Sequence, residues 1–188
     1  MEHLPAGIHR DPQKWKRAKL NVFSNLLVET GTGKVVTYLE GVEGDGKRPP
    51  NRAQQELHWT DWKHFVSALG VRSGKTLGGA AEITAMLGVP STRTWIIAPN
   101  YGLTDRCGEH VDKWVQHDKV YGPDSVRRCV WNKTDRYIEM KWGAKLWGKS
   151  AKNPASLLGE QIDFAVLDEA ARLLESIWNK QVQPRLLD

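Results

Sequence analysis

The apolar run Phe65-Val66-Ser67-Ala68-Leu69 breaks into Gly70-Val71-Arg72-Ser73-Gly74-Lys75-Thr76, and a helical pattern then continues to Leu87. The apolar run has the length and composition of a buried strand, and Gly88 and Pro90 are stop signals for a helix spanning Thr76 to Leu87. A chain that passes from strand to glycine-flanked loop to helix sets that loop at a helix N-terminus. There, unpaired N–H groups and the positive end of the helix dipole favour an anion. In such a loop Gly74 allows the backbone to approach phosphates, Lys75 reaches the β- and γ-phosphates, and the Thr76 hydroxyl ligates Mg²⁺. The full pattern G-x-x-x-x-G-K-[ST] has glycine where this chain has Leu69, with Gly70 one place later, so the expected loop is a variant one.

A second stretch belongs with the first. Ile162-Asp163-Phe164-Ala165-Val166-Leu167 is a mostly apolar strand that runs into the paired carboxylates Asp168-Glu169. At a strand's C-terminal edge, Asp168 orients Mg²⁺ and Glu169 polarises the water that attacks a γ-phosphate. The acidic pair also suits the N-terminus of a helix beginning at Ala170. A phosphate loop followed in the same chain by a strand ending in Asp-Glu points to an ATPase.

At 188 residues the chain is the size of one domain with a sizeable core. A net charge of +5 and a pI near 9.2 suit a polyanionic partner, nucleic acid foremost. Cys107 and Cys129 stand far apart without metal-ligand spacing, which argues against a zinc site or a disulfide framework and fits a reducing compartment. With neither a secretory leader nor a membrane-length apolar run, the expectation is a soluble, cytoplasmic protein. Nine tryptophans are many for this length, and core or interface packing is a commoner use for them than stacking on bases.

Residues 1–50 read as an N-terminal extension and residues 51–188 as the core. Glu29-Thr30-Gly31-Thr32-Gly33-Lys34-Val35 imitates a phosphate loop, but Val35 replaces the hydroxyl residue and a β-branched run follows. Gly31 to Lys34 is therefore expected as a hairpin turn. Pro50 to Trp59 opens a helix in which Gln54 or Gln55 either matches the N6 and N7 edge of adenine or faces solvent. Thr94 to Ala98 reads as a core strand and Gly102 to about Asp118 as a helix. Ser125 to Ser150 reads as an antiparallel meander with a turn at Gly143-Ala144. Few residues follow the acidic pair, where a doubly wound sheet would continue, so a fragment or half of a split protein is expected.

These residues resemble the ATPase domain of bacteriophage large terminase subunits from about Asn51 to Arg185. The glutamine-bearing segment, the arginine-containing loop Gly70 to Thr76, the strand Trp95-Ile96-Ile97-Ala98-Pro99 and the run Gly148 to Gly159 ahead of Asp168-Glu169-Ala170 carry the resemblance. The last of these separates terminases from general helicases. The resemblance implies an α/β P-loop fold of the additional-strand, catalytic-glutamate class, with a mainly parallel sheet flanked by helices and an antiparallel meander. It also implies ATP and Mg²⁺ as cofactors. Lys75 and Thr76 match the phosphate and metal residues, Asp168 the second metal residue, Glu169 the base, and Arg72 a loop arginine that senses the γ-phosphate or pairs with an acidic neighbour.

The implied partners are double-stranded DNA, a portal protein, a small terminase subunit and further copies in a ring, with the host cytoplasm as the location. Arg106 is a candidate finger arginine. The family's coupling motif and nuclease domain have no counterpart up to Asp188. Two other readings stay open on the residues alone: a helicase-like DNA-dependent ATPase, and a basic interaction module with a vestigial loop.

Overall fold

The structure, a computed structural model, describes residues 27–29, 35–37, 54, 57–58, 64–68, 70, 72–118 and 120–186. Leu27–Glu29 (β1) and Val35–Thr37 (β2) pair antiparallel, which agrees with the hairpin expected around Gly31 to Lys34. The main body is a five-stranded sheet built from Arg93–Ala98 (β3), Val126–Trp131 (β4), Arg136–Met140 (β5), Lys145–Ser150 (β6) and Phe164–Leu167 (β7). The strand order is β4-β5-β6-β3-β7. Two helices, Lys75–Leu87 (α1) and Tyr101–Val115 (α2), precede and follow β3.

Hydrophobic periodicity dictates the layers. Successive side chains of β3 point to opposite faces of the sheet. Ile96 joins Ile138, Met140 and Leu146 beneath Ala80, Ile83 and Leu87 of α1 and Cys107, Val111 and Trp114 of α2. Trp95 and Ile97 face the other way, where Leu157, Ile162, Ile177 and Val182 cover them. Both faces of β3 are thus packed, and five of its six residues are buried. Asn100 starts α2 by accepting a hydrogen bond from the Leu103 N–H through its side chain, and Trp142 Nε1 donates to the Leu87 carbonyl at the end of α1.

Two expectations need correction. The sheet is evenly mixed instead of mainly parallel: β3 pairs parallel with β6 and β7, while β5 pairs antiparallel with β4 and β6. Tight turns join β4 to β5 and β5 to β6, so those neighbours are antiparallel, while β6 and β7 flank β3 through longer connections and run parallel to it. The run Phe65 to Leu69 is also not a buried strand where it is described. Residues 65–68 have no regular structure, Phe65 is 40% exposed and Val66 88% exposed. A strand draws its stability from a neighbour's N–H and C=O groups and from packing on a pleated face. Among the described residues β7 pairs only with β3, and no strand pairs with residues 65–68. No helix of the described residues is long and apolar enough to cross a membrane.

Candidate nucleotide site

The start of α1 and the tip of β7 meet at one place. Register brings Ile97 level with Leu167, and the Asp168 N–H donates to the Ile97 carbonyl at 2.9 Å, so the acidic pair leaves the sheet at the C-terminal edge of the parallel strands. That edge is the usual ligand side of an α/β sheet. Gly79 allows α1 to lie close to β7, since a Cβ there would come within 2.9 Å of a Val166 methyl. The approach puts the Thr76 hydroxyl 3.0 Å from Asp168 Oδ2, to which it donates across 92 residues of sequence.

The loop that feeds α1 turns sharply. Gly74 has a φ of 82° and caps the helix without a side-chain hydrogen bond of its own. The Gly70 carbonyl accepts from the Lys75 ammonium at 3.0 Å and from the Ser73 N–H at 3.4 Å. The Gly74 carbonyl accepts from the Gln54 amide and from the Gly78 N–H, each at 2.9 Å.

Asp168 is 7% exposed, and its Oδ1 accepts the Glu169 N–H at 3.1 Å. Glu169 itself is exposed. Arg72 and Glu169 are two of the three non-glycine residues with positive φ among the described residues, at 61° and 54°. Each such conformation costs on the order of 1 kcal/mol, and strain of this kind gathers at ligand-binding loops. Cys107 lies buried on α2 beneath the site, and burial, followed by the negative charge of Asp168, pushes its thiol well above the usual range, so it is not a thiolate.

Of the residues expected from sequence, Lys75, Thr76, Gly74, Gly70, Ser73, Gln54 and Asp168 are joined here by the bonds just given or by adjacency, with Arg72 and Glu169 on the flanks. Gln54 is buried with its amide on the loop backbone, unlike a solvated helix face. Val71 and Gln55 lie outside the described residues. Arg106 sits exposed on α2. Sequence reasoning missed the buried pair His58 and Glu82, whose Nδ1 and Oε1 are 2.8 Å apart. The signal for it was a carboxylate inside the apolar stretch Ala80-Ala81-Glu82-Ile83. Thr76 and Asp168 supply only oxygen donors, a hydroxyl and a carboxylate, and that set suits Mg²⁺.

No family model matches the chain. The large terminase subunits of Thermus phage G20c and Thermus virus P23-45 are each 31% identical to it over 151 residues. Those matches take in 73% of this chain and 31% of each relative, so the chain spans less than a third of their length. The chain is a homologue of the bacteriophage large terminase subunits. The solved large terminase ATPase domain of Thermus phage P74-26 agrees with it at a TM-score of 0.63 and 25% identity, covering 74% of this chain and 61% of that one. A mutant of that domain gives a TM-score of 0.58 at the same identity.

In this terminase homologue the distance between α1 and β7 governs whether Thr76 reaches Asp168. Gly79→Ala is expected to destabilise the fold by about 1–3 kcal/mol through overpacking against Val166. Val166→Ala in the same chain removes the opposing methyls and should restore most of that loss. Denaturant unfolding of the single and the double variant beside wild type checks both expectations.

Proposed function

We propose that this terminase homologue is a Mg²⁺-dependent, ATP-hydrolysing P-loop domain of the additional-strand, catalytic-glutamate class, serving a motor that moves double-stranded DNA into a viral capsid. The observation that carries the reading is the Thr76 to Asp168 hydrogen bond, which ties the phosphate-loop helix to the acidic strand tip. The first-turn N–H groups of α1 and the Lys75 ammonium bind the phosphates. Thr76 and Asp168 hold Mg²⁺, which when bound neutralises charge on the β- and γ-phosphates. Glu169 accepts a proton from the attacking water, and Arg72 stabilises charge on the γ-phosphate. The basic balance of the chain, +5, suits a DNA partner.

A portal protein, a small terminase subunit and further copies of the chain in a ring complete the proposed assembly in the host cytoplasm, with Arg106 as the candidate finger donated between copies. Calorimetry with a non-hydrolysable ATP analogue and Mg²⁺ is expected to show one saturable site. Hydrolysis is expected to be stimulated more by duplex than by single-stranded DNA. Greater stimulation by single strands would shift the reading to a helicase-like ATPase. A folded chain that binds no nucleotide would leave a DNA- or protein-binding module.

A further inference from the structure

A second line of contacts runs along α1 away from the phosphate loop. Gly74, Gly78 and Glu82 follow one another at four-residue spacing, so they lie along one stripe of the helix. Gln54, Leu57 and His58, spaced three and one apart and helical where described, meet that stripe residue by residue. The Gln54 amide donates to the Gly74 carbonyl at 2.9 Å. A Cβ on Gly78 would stand 3.2 Å from a Leu57 methyl and 3.7 Å from Gln54 Cγ, so these two side chains lie almost on the helix backbone. His58 Nδ1 meets Glu82 Oε1 at 2.8 Å, with the two side chains only 5% and 4% exposed.

We infer that His58 and Glu82 are positioning residues for the nucleotide site: they fix where Leu57 and His58 sit along α1, and so hold Gln54 on the carbonyl of Gly74. A buried hydrogen-bonded polar pair adds little net stability over a well-packed apolar pair, but it accepts only one register, because any slip leaves a buried polar group without this partner. Packing at Leu57 cannot set register in this way, since a smooth glycine surface resists sliding weakly. A slip of one helical turn, about 5.4 Å, takes Gln54 off Gly74. The Gly74 carbonyl belongs to the residue that holds the left-handed turn just before Lys75, so its support fixes the direction in which the loop presents its N–H groups. Gln54 therefore acts on the loop as well as on any base it meets.

This inference rests on the nucleotide-binding reading given above, and the test separates the two. In the 188-residue chain, the Kd for Mg²⁺ with an ATP analogue is measured by calorimetry, alongside KM and kcat for ATP. His58→Asn places an amide N–H near the original Nδ1 and is expected to bind like wild type. His58→Gln carries its amide to the far side of the ring position and is expected to weaken binding about tenfold, the effect of one lost hydrogen bond, with kcat unchanged. Gln54→Ala is expected to weaken binding to the same degree, and the double variant Gln54→Ala with His58→Gln no further, because both act through one contact. Replacing His58 and Glu82 together by Leu and Met keeps the site filled and apolar, and is expected to lose affinity without loss of thermal stability. Equal affinity in His58→Gln and His58→Asn, or losses that multiply in the double variant, would overturn the inference while the nucleotide site stands. A wild-type chain that binds no nucleotide overturns both.

Discussion

Glu169→Gln is expected to leave binding of Mg²⁺ and ATP intact and to slow hydrolysis by about 10²- to 10⁴-fold, the usual worth of a positioned general base. The substitution changes one thing. The amide has the size and shape of the carboxylate, and the Glu169 backbone N–H that donates to Asp168 Oδ1 is untouched, so the neighbouring oxygen keeps its partner. Glu169 is exposed and holds a φ of 54°, a conformation glutamine adopts at similar cost, so the strand tip should keep its turn. What disappears is the lone pair able to take a proton from water. Single-turnover phosphate release set beside calorimetry reads the two quantities separately. Equal release by the variant and wild type would place the base elsewhere in the chain.

Much of this arrangement was legible because it is local. Lys75–Leu87, Arg93–Ala98 and Tyr101–Val115 announce themselves through apolar spacing and through stop signals at Gly88 and Pro99, and the structure agrees within a residue or two at most ends. The meander was legible from alternation, and Trp95 and Trp114 are core residues, as their chemistry favours. Residues 65–68 misled because an apolar run records only what a segment can bury, whereas strand formation also needs a neighbour, and sequence does not name one. The even mixture of pairings was hidden for the same reason, since β6 takes an antiparallel partner on one side and a parallel one on the other.

At the site the residue types were readable from motif spacing. The contact between Thr76 and Asp168 was not, because it spans 92 residues and depends on Gly79 meeting Val166. His58 and Glu82 were harder still. Their pairing spans 24 residues and matches no motif, and a lone carboxylate in an apolar helix signals burial without naming its partner.

Lys75→Ala is expected to weaken nucleotide binding by at least about 10²-fold, as two charge-assisted hydrogen bonds to phosphate at about 1.5 kcal/mol each would require. In this structure the ammonium donates to the Gly70 carbonyl at 3.0 Å, so the lysine already curls over the loop it serves and needs little reorganisation to meet an anion there. Loss of that bond alone does not open the loop. Gly70 still accepts from the Ser73 N–H, and Gly74 is held from both sides by Gln54 and Gly78. The affinity loss should therefore appear with the melting temperature nearly unchanged, which separates a missing phosphate ligand from a collapsed loop. Lys75→Arg is not expected to restore binding, because a planar guanidinium is wider than an ammonium and presents its donors in a fixed fork. Calorimetry on both variants, with circular dichroism melts as the control, measures the difference. Wild-type affinity in Lys75→Ala would remove the phosphates from this end of α1 and, with them, any role for Thr76 as a ligand to the accompanying metal.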